Sequence, residues 1–179
     1  MSTCSQVTGG AYRCTCNSEY YNNVGTCTNK INVDASCSST GPSNQCKDAM
    51  STCSQVTGGA YKCTCNSGYY NNVGTCTIKI NVDAICINAG PSDQCKDAMS
   101  TCILVSGNHK CTCNSEYYNN AGACTNKLGS GVICTRVNDA AECVSNAVCK
   151  TVSSALKCTC NSGYYDDKFG TSGGQCKAG

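Results

Sequence analysis

Along the chain, apolar side chains come singly or in short groups among Ser, Thr, Asn and Lys, and no segment keeps a 3.6-residue apolar period. The longest apolar runs are a few residues, as at Cys102-Ile103-Leu104-Val105, far short of the roughly 20 that span a bilayer. Such alternation predicts short, half-buried strands. Ser51-Thr52-Cys53-Ser54-Gln55-Val56 and Ala60-Tyr61-Lys62-Cys63-Thr64-Cys65 flank Thr57-Gly58-Gly59, where glycine supplies the positive φ that a tight turn demands. A second, shorter hairpin is expected after it, turning near Asn71-Asn72 or Gly74. Gly41-Pro42 and Gly90-Pro91 mark turns as well. Helix content should be minimal.

The pattern then recurs. Met1-Ser2-Thr3-Cys4-Ser5-Gln6-Val7-Thr8-Gly9-Gly10 returns as Met50-Ser51-Thr52-Cys53-Ser54-Gln55-Val56-Thr57-Gly58-Gly59, an offset of 49, and residues 1–49 and 50–98 differ at only eight positions. Arg13/Lys62, Glu19/Gly68, Asn29/Ile78 and Ser36/Ile85 are among them. A third copy begins around Met99 and a more divergent fourth around Ala147. Cysteine spacing outlasts the rest of the sequence.

Composition explains why. The 22 cysteines in 179 residues make up about 12% of the chain; without them the apolar share falls from 40% to roughly 28%, against ~45–50% in an ordinary globular domain. Trp is missing, and Phe169 is the one phenylalanine. So thin an apolar inventory cannot offset the entropy lost on ordering, and covalent cross-links must restrict the unfolded chain instead. Closing a 15-residue loop contributes about 3 kcal/mol in the chain-entropy view, so three bonds per repeat would dominate. The net charge of +2, with 13% charged residues, excludes a nucleic-acid footprint and leaves a surface with little self-repulsion, suited to assembly. Met1-Ser2-Thr3-Cys4 lacks the basic start and apolar stretch of a secretory signal, so a mature form or a fragment is expected.

Counted in sixes, the cysteines give Cys37, Cys46, Cys53, Cys63, Cys65 and Cys76; then Cys86, Cys95, Cys102, Cys111, Cys113 and Cys124; then Cys134, Cys143, Cys149, Cys158, Cys160 and Cys176. Cys4, Cys14, Cys16 and Cys27 remain and match the last four of a unit. Units are therefore expected at 1–30, lacking the first two cysteines, and at 31–79, 80–127 and 128–179. Six cysteines allow 15 pairings, and spacing does not choose among them. Neighbours such as Cys63 and Cys65 point to one face of a strand, so each must bond elsewhere.

The order Cys-x8-Cys-x6-Cys-x9-Cys-x-Cys-x10-Cys, with Cys63-Thr64-Cys65-Asn66-Ser67-Gly68-Tyr69 before Cys76, resembles the epidermal-growth-factor-like (EGF-like) domain over nearly the whole chain. That resemblance implies a small, disulfide-rich, mostly β fold of tandem modules, each made of short antiparallel hairpins, in an extended rod. It also implies the pairing first to third, second to fourth and fifth to sixth. The bonds would be Cys37–Cys53, Cys46–Cys63 and Cys65–Cys76; Cys86–Cys102, Cys95–Cys111 and Cys113–Cys124; Cys134–Cys149, Cys143–Cys158 and Cys160–Cys176; and Cys16–Cys27. Cys4 and Cys14, without those partners, must pair with each other, pair with another chain or stay free. Two features depart from the family pattern. The glycine before the aromatic, Gly68 and Gly163, is Glu19 and Glu116 elsewhere, and the last loop runs long, from Tyr164 through Gly173-Gly174 to Cys176.

The resemblance raises calcium as a ligand, since many such domains bind it through acids or amides before the first cysteine and a residue two after the third. Asn32 and Asp34 with Gln55 form one candidate set; Asn81 and Asp83 form a poorer one, Leu104 standing at the third position. One carboxylate among amides makes a weak site for an ion that takes six to eight oxygens, and a polar spacer between modules is the competing reading. Leu128-Gly129-Ser130-Gly131 should bind none. Thiolate metal clusters at the Cys-x-Cys pairs are a further alternative, already explained away by disulfides. Tyr20, Tyr69 and Tyr117 open tyrosine pairs that recur in every repeat with Tyr164-Tyr165, and the resemblance implies that these residues pack between modules or stay on the surface.

No enzyme is expected. The one histidine, His109, replaces Tyr12 and Tyr61 of sister repeats and has no triad-like company; no Gly-x-Ser-x-Gly elbow, phosphate loop or zinc-binding His pair occurs. Repeats this alike suit a multivalent mechanical use. The expected function is a secreted, extracellular structural repeat protein giving cohesion or extensibility to a matrix, fibre or adhesive thread, a likeness that extends to molluscan byssal-thread proteins of this type. Its expected partners are further copies of itself or other matrix proteins. The alternative is a cell-surface or matrix adhesion segment that binds a receptor, with calcium as an aid. Growth-factor activity is disfavoured, because Thr26, Thr75, Ala123 and Gln175 stand before the last cysteines where such factors carry Arg.

Overall fold

The computed structural model describes residues 2–6, 8–87, 90–137, 141–168 and 173–179; Phe169 and the middle of the long last loop lie outside them. Among the described residues every regular element is a strand, and every sheet has two antiparallel strands joined in a hairpin. The first repeat pairs β1 (Ser2–Gln6) with β2 (Tyr12–Cys16) and β3 (Tyr20–Asn23) with β4 (Thr26–Asn29); the second pairs β5 (Ser51–Gln55) with β6 (Tyr61–Cys65) and β7 (Tyr69–Asn72) with β8 (Thr75–Ile78). In the third, β9 (Ser100–Val105) pairs with β10 (Asn108–Cys113) and β11 (Tyr117–Asn120) with β12 (Ala123–Asn126). The fourth holds β13 (Ala147–Val152) with β14 (Ala155–Cys160) and β15 (Tyr164–Asp166) with β16 (Cys176–Ala178).

By contact the chain divides into two compact units, Met1–Lys79 with Ala89–Gln94, and Ile80–Asn88 with Cys95–Gly179. In the first, Cys46, Cys63 and Cys76 are buried with Tyr21, Val33 and Tyr70; in the second, the buried interior is largely cystine. The fourth repeat collects Cys134, Cys143, Cys149, Cys158 and Cys176 with Val144 and Ala147, and the third gathers Cys86, Cys95 and Cys111. No cysteine is free. Bonds join Cys37 to Cys53, Cys46 to Cys63 and Cys65 to Cys76. The third repeat has Cys86–Cys102, Cys95–Cys111 and Cys113–Cys124, and the fourth Cys134–Cys149, Cys143–Cys158 and Cys160–Cys176. In the first repeat Cys16 bonds Cys27, and of the three fates open to Cys4 and Cys14 the structure takes the first, a bond to each other.

The stretch between repeats, read above as a polar spacer, is not a free linker. Lys30 donates its N–H back to Glu19 O at 2.9 Å, extending the β3–β4 hairpin, while the next residue, Ile31, donates forward to Gln45 O at 2.8 Å and bridges Cys46 in parallel. Asp34 N then donates to Cys63 O (2.8 Å), Cys63 N to Ala35 O (3.1 Å) and Cys37 N to Tyr61 O (3.1 Å), so this lead segment lies along the outer edge of β6, where Ser36 bridges Lys62 in antiparallel, without forming a regular strand. Within the second unit the sequence is repeated: Lys127 N donates to Glu116 O, and Leu128 N to Glu142 O. The polar character that resembled a linker follows from edge position. A segment docked along the edge of a small module keeps one side in water.

A conformational demand sits at the middle of each lead segment. Asp34, Asp83 and Gly131 occupy equivalent positions with φ of 68°, 66° and 80°, left-handed values that Asp and Asn tolerate better than other side chains and Gly adopts freely. The fourth repeat uses its glycines further. The end of the last loop pairs with the lead segment, Ser130 N donating to Gly174 O (2.8 Å) and Gly173 N to Ser130 O (2.9 Å). A Cβ on Gly129 would sit inside van der Waals contact with the Cα and carbonyl carbon of Gly173, backbone atoms that cannot rotate away. Gly129→Ala is therefore expected to destabilise the fourth repeat by about 1–3 kcal/mol. Faster hydrogen exchange at the Ser130 and Gly173 amides is the check, and unchanged rates there would refute the close approach.

Candidate functional site

Asp34 takes its left-handed turn beside β6, and its Oδ2 accepts a hydrogen bond from the Asn71 amide of β7. Asn71 is oriented by its other atom, whose Oδ1 accepts the Gly74 N–H of the turn at 2.7 Å. Asp83 and Asn119 repeat the arrangement, with Asn119 Oδ1 holding Gly122 N at 2.7 Å. Each aspartate thus ties a lead segment to the second hairpin of its own repeat. Gln55, proposed as a further oxygen donor, lies at the tip end of β5 and donates instead to Gly59 O across its turn (3.2 Å). Asn32 is exposed, and its backbone carbonyl accepts the Ala35 N–H. The structure brings Asp34 to Asn71 and Asp83 to Asn119, while Gln55 and Asn32 make other bonds. Asn81 is likewise exposed, its carbonyl accepting Ala84 N.

Asn71 and Asn119 escaped the sequence reading, although one signal was present. Where Asp34 and Asp83 become Gly131, the asparagine becomes Asp166, and retaining both acids would have set two carboxylates against each other. A second carboxylate clamp also went unnoticed. Asp48 Oδ1 accepts Met50 N and Oδ2 accepts Cys76 N, both at 2.8 Å, pinning β8 to the stretch that follows Cys46. Asp97 does the same with Met99 N and Cys124 N.

A buried polar side chain completes each first cysteine loop. Gln45, 2% exposed, accepts Ser38 N and donates to Ser38 O, both at 2.9 Å, pairing with that backbone much as a strand would. In the fourth repeat the same place holds Glu142, also 2% exposed, which accepts Thr135 N at 2.7 Å and the Thr135 hydroxyl, with Arg136 Nε 3.6 Å away. On the exposed tail of this repeat, the Gln175 N–H on Asp167 Oδ1 (2.8 Å), together with the Lys177 ammonium at 3.2 Å, lowers the Asp167 carboxyl below the usual carboxylate range.

Tyr20, Tyr69 and Tyr117 are half-buried, whereas the second tyrosines of the first two pairs are buried, Tyr21 at 7% and Tyr70 at 2%. In the last pair both are exposed, Tyr164 at 39% and Tyr165 at 46%. His109 is half-buried on β10 opposite Leu104, its backbone carbonyl accepting Cys86 N. Among the described residues one group of metal-ligating types comes together, Cys134, Cys143 and Cys158, and all three sulfurs are engaged in disulfides.

The surface carries the remaining chemistry. Two-residue turns close the second hairpins, with Val24-Gly25, Val73-Gly74 and Ala121-Gly122 all at positive φ, the geometry of a type I′ turn. Val24 and Val73 are 99% exposed, at φ of 46° and 49°. The third repeat exchanges the serines of its sister for aliphatic residues in one row. Ile85 bridges Lys110, which pairs with Ile103, where the second repeat has Ser36, Lys62 and Ser54. No helix among the described residues is long and apolar enough to cross a membrane. Compared with known proteins, the chain matches no family model and none of the curated proteins.

Proposed function

We propose that this is an extracellular structural protein of EGF-like modules that gives cohesion or extensibility to a matrix, fibre or adhesive thread by associating with its own kind. Eleven disulfides in so short a chain are typical of secreted proteins and of small cores that burial alone does not stabilise. The carrying observation is the pair of valines at the hairpin tips. A type I′ turn favours Asn-Gly, and a β-branched residue at positive φ is strained by about 1 kcal/mol or more. Folding gains nothing from a valine that is also wholly exposed, yet two repeats keep it. A role in contact between chains accounts for both costs.

The test exploits opposite signs. Val24→Asn with Val73→Asn is expected to raise stability by about 1 kcal/mol per turn while weakening self-association in sedimentation velocity. Equal association by the variant and the parent protein would end this reading.

The aliphatic row of the third repeat favours the second reading, an adhesion segment with one specific partner. Ile85 is 69% and Ile103 45% exposed, and Leu104 beside them 63%. Under that reading Ile85→Ser with Ile103→Ser abolishes capture by cells bearing the receptor and leaves self-association alone; under the structural reading cell binding is absent from the outset.

A further inference from the structure

Within the second unit, a cavity of about 210 Å³ opens on the third repeat, with Ala141 of the fourth on its rim. Asp83, Tyr117, Tyr118, Asn119 and Lys127 supply much of the remaining wall. Tyr117 and Asn119 stand two residues apart on β11, so their side chains leave the same face of that strand. Asn119 is held at both ends of its amide. Its Oδ1 accepts Gly122 N at 2.7 Å, and its Nδ2 gives one hydrogen to Asp83 Oδ2. Asp83 is fixed in turn by its left-handed φ of 66° and by its N–H on Cys111 O at 2.8 Å. Three polar valences are left over. Nδ2 of Asn119 has a second hydrogen. Among the described residues, Asp83 Oδ1 accepts no hydrogen bond and the Lys127 ammonium makes no ion pair.

We propose that this cavity binds one pyranose ring of a carbohydrate. Its volume lies below the roughly 300–1,000 Å³ that takes a drug-sized ligand, so the occupant is a single small ring. Charge narrows the class further. Asp83 and Lys127 cancel, so a cation meets the ammonium, an anion meets the carboxylate, and a neutral molecule rich in both donors and acceptors is favoured. A sugar hydroxyl is both at once. One hydroxyl donates to Asp83 Oδ1 in a charge-assisted bond, while neighbouring oxygens accept from Asn119 Nδ2 and Lys127 Nζ. The C–H face of the ring lies on Tyr117, whose aromatic surface is half-buried and so still open to a ligand. Because Asn119 and Asp83 are already locked by the protein, little further ordering is lost on binding. The second repeat keeps Asp34, Tyr69, Asn71 and Lys79 in the corresponding places. There, however, Tyr70 is 2% exposed where Tyr118 is half-buried, and Asp93 stands where Ala141 does, adding a negative charge. The third repeat is therefore the one suited to a neutral ring. This site goes beyond cohesion through the valine tips and stands whether or not they associate.

The experiment titrates the intact protein, followed by two-dimensional NMR, with glucose, galactose, mannose and N-acetylglucosamine and with the methyl glycoside of each. At least one sugar is expected to give saturable shifts centred on Asp83, Tyr117, Asn119 and Lys127, with a Kd of about 1–10 mM, the range open to one ring with few contacts. Methyl glycosides that bind as well as the free sugars assign the site to the ends of glycans; binding by free sugars alone assigns it to soluble monosaccharides. Tyr117→Ala should weaken binding roughly tenfold and Tyr117→Phe leave it within about twofold, because the ring face rather than the hydroxyl carries the contact. Ala141→Asp installs the residue of the second repeat at an exposed position, so the fold is kept, and it too should cost about tenfold. Glycerol, glycine and calcium chloride probe hydroxyls without a ring, a zwitterion and a cation. No response to any sugar overturns the proposal. So do equal shifts from one of these three probes, or sugar binding that Ala141→Asp and Tyr117→Ala leave unchanged.

Discussion

Replacing Cys46 and Cys63 together by alanine is expected to remove about 3 kcal/mol from the second repeat and to release its lead segment, whereas replacing Cys65 and Cys76 should cost clearly less. Loop entropy does not produce the difference. The two bonds close stretches of 17 and 11 residues, which separates them by only about 0.4 kcal/mol in the chain-entropy view. Burial and attachment decide it. Cys63 is 0% and Cys46 5% exposed, and Cys63 offers both its backbone groups to the segment that Cys46 anchors, through Ala35 O and Asp34 N. Losing this bond removes packing as well as a tether, and frees the Ile31–Cys46 bridge to fray. Guanidinium unfolding gives the magnitude, and exchange at the Asp34 and Cys63 amides gives the place. Equal losses from the two double variants would show that cross-links act only by restricting the unfolded chain.

Exchanging the buried Gln45 for glutamate should destabilise the second repeat at neutral pH by about 2–3 kcal/mol, and the fourth repeat shows how to recover most of it. Gln45 both accepts from Ser38 N and donates to Ser38 O; a carboxylate keeps the first bond but turns an acceptor toward the carbonyl, burying charge without a counterion. Glu142 survives in the same place because Thr135 adds a hydroxyl donor and Arg136 a cation. Ser38→Thr with Ser39→Arg, added to Gln45→Glu, is therefore expected to restore stability. Chemical denaturation of the three proteins checks it. If the triple variant were no better than Gln45→Glu alone, the Thr135 and Arg136 contacts would not be what sustains the buried acid.

Much of this architecture was legible in advance. Short alternating runs around Gly58-Gly59 and Gly74 became the hairpins β5–β6 and β7–β8, because alternation over so few residues leaves a half-buried strand as the one element that buries anything. Other features escaped notice for a common reason. Asp48 reaches Cys76 across a sequence separation of 28, and Asp34 reaches Asn71 across 37. Polar residues at such distances look like surface until the chain closes on itself. Of the tyrosine pairs, Tyr20 and Tyr69, singled out as interdomain or surface aromatics, are half-buried and their neighbours Tyr21 and Tyr70 are buried; strand alternation says that neighbours differ but not which of them turns inward.

Cysteine count, repeat offset and turn residues thus determined that the chain forms small hairpins tied by sulfur, since those properties belong to local backbone geometry and to a shortage of apolar surface. Tertiary contact alone decided that residues 31–37 dock along the edge of β6 rather than hang as a tether, that Cys4 closes on Cys14, and that Gln45 and Glu142 lie inside. Each of these depends on which backbone groups remain unpaired once the hairpins have formed, and that is settled only when the lead segment lies down against β6.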